Sequence, residues 1–442
     1  MYSRVLHGSW LAAVSLLLTV QPAPTAAQAS APLAAEIDRR AGEVQSKVVA
    51  WRRDIHQHPE LSNRETRTAK LVADHLRSLG MEVQTGVAHT GVVGVLRGGK
   101  PGKVVALRAD MDALPVTEQV DLPFASKVRT TYNGQEVGVM HACGHDTHVA
   151  MLMGVAQVLA GMRQQLPGTV KFIFQPAEEG PPPGEEGGAA LMVKQGVLQN
   201  PRPEAIFGLH VGVQPQPVGT ISYKPLGFMA AADMMRIVVR GRQTHGAVPW
   251  GGVDPIVVSA QIVNALQTIP SRQVNLTTAP AVITVGSIQG GIRNNIIPDS
   301  VVMLGTIRTF DAAMQSDIHT RVRRTVEMIA QSAGATAQVE ITRSTPVTSN
   351  DPALTERMVG TLQRVAGAES VKLAPVTMGA EDFAVYQQEI PGLFFFLGVV
   401  PKGQDLTQVA ANHSPKFFVD EAALPVGVRA MAHLAVDYLA GR

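Results

Sequence analysis

The sequence contains a single cysteine and few aromatic residues among its 442 residues. One cysteine excludes an intrachain disulfide, and an aromatic content of 5% argues against a platform on which nucleic-acid bases would stack. Neither sign of charge dominates, because 38 lysines and arginines face 36 aspartates and glutamates. No basic block is present either, so we expect no nucleic-acid partner.

Long hydrophobic runs are also scarce. The run from Trp10 to Val20 is too short for a membrane span, which needs about 20 residues, and no later run reaches that length. Arg4 before this run and the small residues Ala27-Gln28-Ala29 after it are typical of a secretory signal peptide over residues 1–29. An uncleaved anchor or a first helix is the alternative. We therefore predict a protein that is exported to the periplasm or secreted, with no stable membrane span.

The composition that remains is that of a globular protein, with 45% hydrophobic and 17% charged residues. Strands alternate with helices over 34–222, which predicts an α/β domain with a largely parallel or mixed sheet. The order over 223–340 is β-α-β-β-α-β, as in ferredoxin-like domains, and helix and strand resume over 341–442. We predict one catalytic domain in two pieces, with a smaller domain inserted between them.

The first group of chemically active side chains lies in the segment MHACGHDTH (140–148). Cys143 and His145 are separated by one residue, and thiolate and imidazole are ligands of transition metals. A packed, inert thiol is the alternative. Exposed thiols oxidise outside the cytoplasm, so a metal ligand would also explain a lone cysteine in an exported protein. Asp146 is expected to cap a buried helix over Val149–Ala160.

Two acidic groups each follow a predicted strand. Glu178 and Glu179 lie in QPAEEG (175–180), directly after the predicted strand TVKFIF, so one carboxylate can hold a metal while the other faces a reactive water. Asp110 and Asp112 follow KVVALRA and face the same side if the chain is extended. They could ligate a metal, orient a ligand histidine, or cap a turn before Pro115. Solvated surface acids are the alternative for the glutamates.

Several further residues are weak signals when taken singly. His210 ends a predicted strand and His413 lies in a loop, and an isolated histidine is more often structural than a ligand. His245 lies in the predicted inserted domain, which also holds the polar, Gly-marked segments GGIRNNIIPDS (290–300) and GTIRTF (305–310).

Taken together and in order, these motifs resemble the aminoacylase/carboxypeptidase family of di-metal peptidases. The similarity rests on HQHPELS, ALRADMDALP, MHACGHDTH, FQPAEEG, FGLH, THGAVP, GGIRNNIIPDS, GAEDFAVY and NHSPKF, and spans about residues 40–440. It is greatest to the branch of hippurate hydrolases and indole-3-acetyl-amino acid hydrolases. The resemblance implies a zinc-peptidase-like catalytic domain with a mixed central sheet, and an inserted ferredoxin-like domain that acts as lid and dimerisation module.

The resemblance also implies a role for each matching position. Five residues match the ligands of two divalent metals, namely Cys143, His145, Glu179, His210 and His413. Glu178 matches the general base, and Asp112 matches the carboxylate that orients a ligand. His245 matches a histidine that reaches the neighbouring subunit's site in family dimers. Asn295 and Arg308 match positions that help to hold the substrate.

The implied activity is hydrolysis of N-acyl-amino acids by metal-activated water, giving a carboxylic acid and a free amino acid. One thiolate, three imidazoles and one carboxylate are ligands that bind zinc with high affinity, so zinc is favoured, with manganese, cobalt or nickel as alternatives. The wider family has a histidine at Asp110 and a bridging aspartate at Cys143, which leaves the native metal and any contact of Asp110 with it open. The loop PPPGEE after Glu179 is longer than usual for the branch and adds bulk at the mouth of the site.

Three rival functions remain open. An exported metallo-exopeptidase acting on short peptides would use the same site with a different pocket. A catalytically retired protein that binds peptide or metal is a remote alternative, which the intact Glu178 argues against. A serine or cysteine hydrolase is the third, although G-x-S-x-G is absent from the sequence.

Overall fold

The computed structural model describes residues 31–441, so the predicted signal peptide over 1–29 lies outside the described residues. Among the described residues, no helix combines the length and the apolar character needed to cross a bilayer. The helices are α1 (Ala31–Gln57), α2 (Thr66–Ser78), α3 (His145–Gly161), α4 (Gly188–Lys194), α5 (Pro255–Thr268), α6 (Ala312–Ser332), α7 (Pro352–Ala366), α8 (Phe383–Gln387) and α9 (Leu424–Leu439).

The strands of the first half are β1 (Glu82–Val87), β2 (Gly91–Arg97), β3 (Lys100–Asp110), β4 (Arg129–Tyr132), β5 (Gln135–Gly138), β6 (Pro167–Gln175), β7 (Ala205–Val211), β8 (Ile221–Tyr223) and β9 (Leu226–Met229). Those of the second half are β10 (Ala231–Arg240), β11 (Thr244–His245), β12 (Ala281–Gln289), β13 (Ile296–Ile297), β14 (Ser300–Thr309), β15 (Thr336–Thr345), β16 (Thr348–Asn350), β17 (Val371–Leu373) and β18 (Gly392–Leu397).

The larger sheet has the order β1-β2-β6-β3-β7-β18-β8-β17. Its centre is parallel, because β3 pairs in parallel with β6 and β7, and β7 with β18. β2 and β8 pair antiparallel to their inner neighbours, so the sheet is mixed, as predicted. Helices α1, α3 and α9 pack together in one core, while α4 and α8 contribute to a second apolar cluster.

Helix α3 is buried because its residues are apolar almost all round. The predicted cap is wrong: Gly144 is the N-cap, and the Asp146 carboxylate instead accepts a hydrogen bond from Arg52 Nε at 2.8 Å. Gly144 has a φ of +89°, and a Cβ there would lie 2.4 Å from Val211 Cγ2. A glycine is therefore required where the chain turns from Cys143 into the helix.

The smaller sheet has the order β12-β14-β10-β15 and is antiparallel throughout. Helices α5 and α6 cover it and share a separate apolar core with it, which gives the ferredoxin-like arrangement. The predicted boundaries need correction. Tyr223 still pairs with Leu373 in the larger sheet, and β15 continues to Thr345, beyond the predicted end at 340. The chain passes between the two sheets twice, and β9 and β16, which lie next to these two connections, pair with each other.

Candidate metal centre and catalytic site

The candidate site lies where neighbouring parallel strands of the larger sheet end. β6, β3 and β7 are adjacent, and they end at Gln175, Asp110 and Val211. The carboxyl ends of parallel strands share one edge of a sheet, which is where α/β proteins place their sites. Helix α3 begins at this edge with His145.

Two histidines are held with one ring nitrogen free. Nδ1 of His145 lies 2.8 Å from the Asp112 carbonyl oxygen, and Nδ1 of His210 lies 2.8 Å from the Val211 carbonyl oxygen. A carbonyl oxygen only accepts, so each Nδ1 carries a proton, and Nε2 is the nitrogen that can offer its lone pair to a metal. Nε2 of His145 is buried without a hydrogen-bond partner, and Nε2 of His210 lies 3.4 Å from Cys143 Sγ.

The surroundings of His145 attract positive charge. Burial disfavours a charged ring, but the Asp110 and Asp112 carboxylates outweigh burial and raise the pKa of His145 to about 10. The carboxylates that favour a proton on His145 would also attract a metal cation bound at Nε2. The buried, unpartnered nitrogen therefore fits a metal ligand.

Cys143, Glu179 and His413 form an adjoining group whose candidate ligand atoms all lie within 4.8 Å of one another. Nε2 of His413 is 3.2 Å from Oε1 of Glu179. Burial, followed by the Glu179 carboxylate, raises the pKa of the Cys143 thiol well above its usual range. A thiolate at this position therefore needs a cation beside it, and soft thiolate with imidazole suits a transition metal.

The loop that carries His413 is tied to this group through its backbone. His413 has a φ of +69°, which is uncommon for a residue with a side chain. Its N–H donates to the Ala142 carbonyl oxygen at 2.8 Å, next to Cys143. The hydrogen bond holds the histidine over the site despite the unfavourable backbone conformation.

A buried carboxylate, Asp112, holds the acidic pair in place. The backbone N–H groups of Glu178 and Glu179 donate to its two oxygens at 3.1 and 3.0 Å, and Ser62 Oγ donates at 2.8 Å. Asp112 Oδ1 also lies 3.3 Å from Nδ1 of His145. Asp112 thus contacts His145, a candidate ligand, and both glutamates at once.

Glu178 lies beside the open nitrogen of His145, with Oε2 3.8 Å from Nε2. Burial, then the Glu381 and Glu179 carboxylates, raise the pKa of Glu178 well above its usual range. A carboxyl group with a raised pKa takes up a proton more readily, which is the property of a general base.

Behind the site lies a buried guanidinium that the sequence interpretation did not identify. Arg108, inside β3, donates to Asp110, Glu381 and Asp382. Oδ1 of Asp110 in turn pairs with Nδ1 of His148. The signal in the sequence was a charged residue within the otherwise apolar run 104–109 of β3, followed far along the chain by the unassigned motif GAEDFAVY.

Asp110 and His148 are grouped in space with His145 and His210, but their polar atoms are already engaged. Nε2 of His148 accepts the backbone N–H of Val211 at 3.0 Å, and its Nδ1 faces Asp110. Asp110 is shared between Arg108 and His148. This favours a supporting position for both residues behind the metal ligands.

The inserted-domain candidates lie elsewhere. His245 is exposed on β11, and Gly246 N–H donates to the Asn295 carbonyl oxygen at 2.8 Å, which brings these two segments together. Arg308 is half-buried on β14, opposite Ala232 and Val282. Among residues 31–441, the groups of His, Cys, Asp and Glu side chains that could hold a metal do not include His245.

Comparison with known proteins places these features in a family. The model of "Peptidase family M20/M25/M40" matches residues 106–437. "Thermostable carboxypeptidase 1" of Saccharolobus solfataricus is 43% identical over 398 residues, covering 90% of this chain and 96% of that protein. "IAA-amino acid hydrolase ILR1-like 2" of Arabidopsis thaliana is 39% identical over 403 residues, covering 90% of this chain and 86% of that protein.

A solved structure extends the comparison to three dimensions. The Bacillus subtilis YXEP protein, described as a dinuclear metal binding peptidase from the M20 family, superimposes with a TM-score of 0.74 at 36% identity. The match covers 90% of this chain and 99% of that one.

Proposed function

The chain belongs to peptidase family M20/M25/M40 and is a metal-binding hydrolase of that family, and we propose that it cleaves the amide bond of N-acyl-amino acids. The products are a carboxylic acid and a free amino acid. The observation that carries the proposal is the position of the Glu178 carboxylate, 3.8 Å from the unpartnered Nε2 of His145. A base beside an open ligand atom is the arrangement that metal-assisted hydrolysis requires.

We propose that two divalent cations are held by Cys143, His145, Glu179, His210 and His413. Zinc or manganese is expected, with cobalt or nickel as alternatives. The buried Nε2 of His145 and the Cys143 thiol beside His210 fit such ions. When bound, the cations would lower the pKa of a water toward about 7 and polarise the scissile carbonyl.

In the proposed mechanism, Glu178 accepts the proton of the attacking water and passes it to the leaving amine. Asp112 keeps Glu178 and His145 in fixed relative positions during this transfer, because it accepts a hydrogen bond from the Glu178 N–H and contacts the His145 ring. His245 stabilises the oxyanion, and Asn295 and Arg308 help to hold the substrate. These three roles rest on the family resemblance.

We further propose a homodimer through the inserted domain, in which His245 enters the partner's site. Two exposed apolar side chains on segments close to His245 support this proposal, since Trp250 is 82% and Ile292 is 96% exposed. Large exposed apolar side chains in one region are typical of interaction surfaces. Gel filtration with light scattering tests the dimer, and a monomeric mass would contradict it.

We also propose export with cleavage after Ala29. N-terminal sequencing of the protein recovered outside the cytoplasm should begin at Ser30. A cytoplasmic protein that retains residues 1–29 would contradict export.

A metallo-exopeptidase acting on short peptides is the second candidate, favoured by the 43% identity to a protein named a carboxypeptidase. A catalytically retired binding protein is disfavoured, because Glu178 and the full set of candidate ligands are present and adjacent.

The test is hydrolysis of a panel of N-acyl-amino acids and dipeptides by the mature protein, with and without chelator, and with Zn, Mn, Co or Ni restored. Chelator-sensitive cleavage of N-acyl-amino acids in preference to dipeptides is the expected result. Preference for dipeptides would favour the exopeptidase, and activity that survives complete metal removal would favour a serine or cysteine hydrolase. Tight metal binding without any cleavage would favour the binding protein.

A further inference from the structure

A cavity of about 310 Å³ opens beside the candidate metal ligand Glu179. Its walls come from four separate segments of the catalytic domain: the HPELS segment with the residues that follow it, the turn after Asp112, the tip of the β4–β5 hairpin, and the proline-rich loop after Glu179. The apolar lining consists mainly of Leu61, Leu114, Pro115, Tyr132, Pro182 and Pro183. Small-molecule sites of this kind are concave and largely apolar, with volumes of about 300–1,000 Å³.

The charges around the cavity exclude an anionic occupant. Glu179 is one of the lining residues, and Arg64 is the cation among them. The Arg64 guanidinium is already paired with Glu185, with Nη2 2.5 Å from Oε1 and Nη1 3.1 Å from Oε2. Because Arg64 is paired with Glu185 and the Glu179 carboxylate lines the cavity, the cavity suits an uncharged, apolar group.

The proline-rich wall is held in position. Nδ2 of Asn63 donates to Glu185 Oε2 at 3.0 Å and to the Glu186 carbonyl oxygen at 3.1 Å. Together with the Arg64–Glu185 pair, these bonds tie the loop after Pro183 to the segment that carries Leu61. The prolines also restrict the backbone, so the wall is preorganised before a ligand arrives.

We propose that this cavity binds the acyl group of the substrate and selects N-acyl-amino acids with an apolar acyl group larger than acetyl. This inference rests on the proposed function and adds its substrate class. The acyl carbonyl must reach Glu178 and the candidate metal ligands, and one of those candidates, Glu179, lines the cavity. We therefore assign the acyl carbonyl to the part of the cavity beside Glu179. The cavity walls contain no inserted-domain residue, so the amino-acid carboxylate is left to Arg308 and Asn295.

The first experiment measures kcat/KM for N-acyl-alanines that differ only in the acyl group, from acetyl through butanoyl and hexanoyl to phenylacetyl. Burial of each methylene is expected to raise kcat/KM about fourfold until the cavity is filled. A parallel series of N-hexanoyl-amino acids, varied in the amino-acid side chain, should change kcat/KM less steeply.

The second experiment fills the cavity. Leu114→Trp should lower the ratio of hexanoyl to acetyl kcat/KM about tenfold, because the added ring occupies the space of about two methylenes. Pro183→Trp, on the exposed loop, should also lower this ratio, and it replaces Leu114→Trp as the test if that variant does not fold. Leu373→Trp is the matched control, since Leu373 is 68% exposed on β17 and lies outside the cavity.

A binding measurement separates recognition from chemistry. In a metal-loaded Glu178→Gln background, calorimetry should show tighter binding of N-hexanoyl-alanine than of N-acetyl-alanine, and Leu114→Trp should remove the difference. Equal kcat/KM across the acyl series, or a cavity-filling variant that changes only the amino-acid preference, would overturn the acyl assignment while leaving the hydrolase intact. Failure to cleave any N-acyl-amino acid with any metal would overturn the proposed function and this inference with it.

Discussion

Glu65 and Asp112 together accept hydrogen bonds from three consecutive backbone N–H groups. Oε1 of Glu65 accepts from Ala177 at 2.9 Å, and the two oxygens of Asp112 accept from Glu178 and Glu179. Ala177 has a φ of +51°, so the backbone before Glu178, the proposed base, is held in an unfavourable conformation. Two buried carboxylates therefore hold the backbone of residues 177–179, which sets the direction of the Glu178 side chain.

This relationship predicts that Glu65→Ala lowers kcat about tenfold to a hundredfold, because the Ala177 N–H loses its partner and Glu178 loses its alignment. KM and metal content should change little. Glu65→Gln is the matched control, since its amide oxygen still accepts from Ala177 while its NH₂ can face Thr90 Oγ1, the present donor to Glu65. Equal losses of kcat in both variants, or loss of metal in Glu65→Ala, would contradict the positioning role.

A second prediction concerns the base itself. Glu178→Gln removes the group that accepts the proton but keeps the size and hydrogen-bonding shape of the side chain. We expect kcat to fall by about two to four orders of magnitude, with the metal stoichiometry unchanged in elemental analysis. Turnover at the wild-type rate would exclude Glu178 as the base.

The elements and motifs could be predicted because their signals are local. The apolar runs of β3, β6 and β7 indicate buried strands, and Cys143, His145 and Glu179 stand directly after strands or at the start of a helix. The structure brings these side chains together. Arg108 could not be placed in this way, since its partner Glu381 lies 273 positions away along the chain. The predicted Asp146 cap failed for the same reason, because Arg52 competes for that carboxylate.

A third prediction follows from the buried acidic groups at the candidate metal centre. Chelation should lower the melting temperature of the mature protein, since cations that bind only the folded state stabilise it by about 2.7 kcal/mol at one hundred times Kd. Restoring zinc or manganese should recover the melting temperature. Cys143→Ala together with His210→Ala should abolish the response to metal. A melting temperature that is insensitive to chelator in fully loaded wild-type protein would contradict the assigned ligands.

A fourth prediction concerns pH and a buried histidine outside the candidate ligands. Burial disfavours the charged ring of His56, but the Asp146 and Glu118 carboxylates, 2.9 and 3.0 Å away, outweigh burial and raise its pKa to about 9. Because the folded pKa lies above the ordinary value of about 6.5, the stabilisation is complete below pH 6.5 and is lost as pH rises through 9.

The measurement is the free energy of unfolding of wild type and His56→Gln by urea at several pH values. The advantage of wild type should be on the order of 2–3 kcal/mol near pH 6 and shrink toward pH 10. Arg53→Gln is the control, since Arg53 lies on the same helix but is exposed. A wild-type advantage that is constant over this range would show that His56 is not charged in the folded protein.

The last prediction tests whether His245 acts in its partner's site. His245→Ala should lower turnover with metal content unchanged, and loss of metal would instead make His245 a ligand. His245 is exposed, and the groups of possible metal ligands within residues 31–441 do not include it. A role in catalysis therefore requires that it reach a site from outside, either by closure of its own subunit or from a partner.

Co-expression of Glu178→Gln and His245→Ala subunits distinguishes these routes. If His245 acts across the dimer, a mixed dimer holds one complete site, formed by Glu178 of one subunit and His245 of the other. Half of the dimers in an equal mixture are mixed and each has one of two sites intact, so activity should recover to about one quarter of wild type. If His245 acts within its own subunit, neither site of a mixed dimer is complete, and activity should stay at the sum of the two inactive parents.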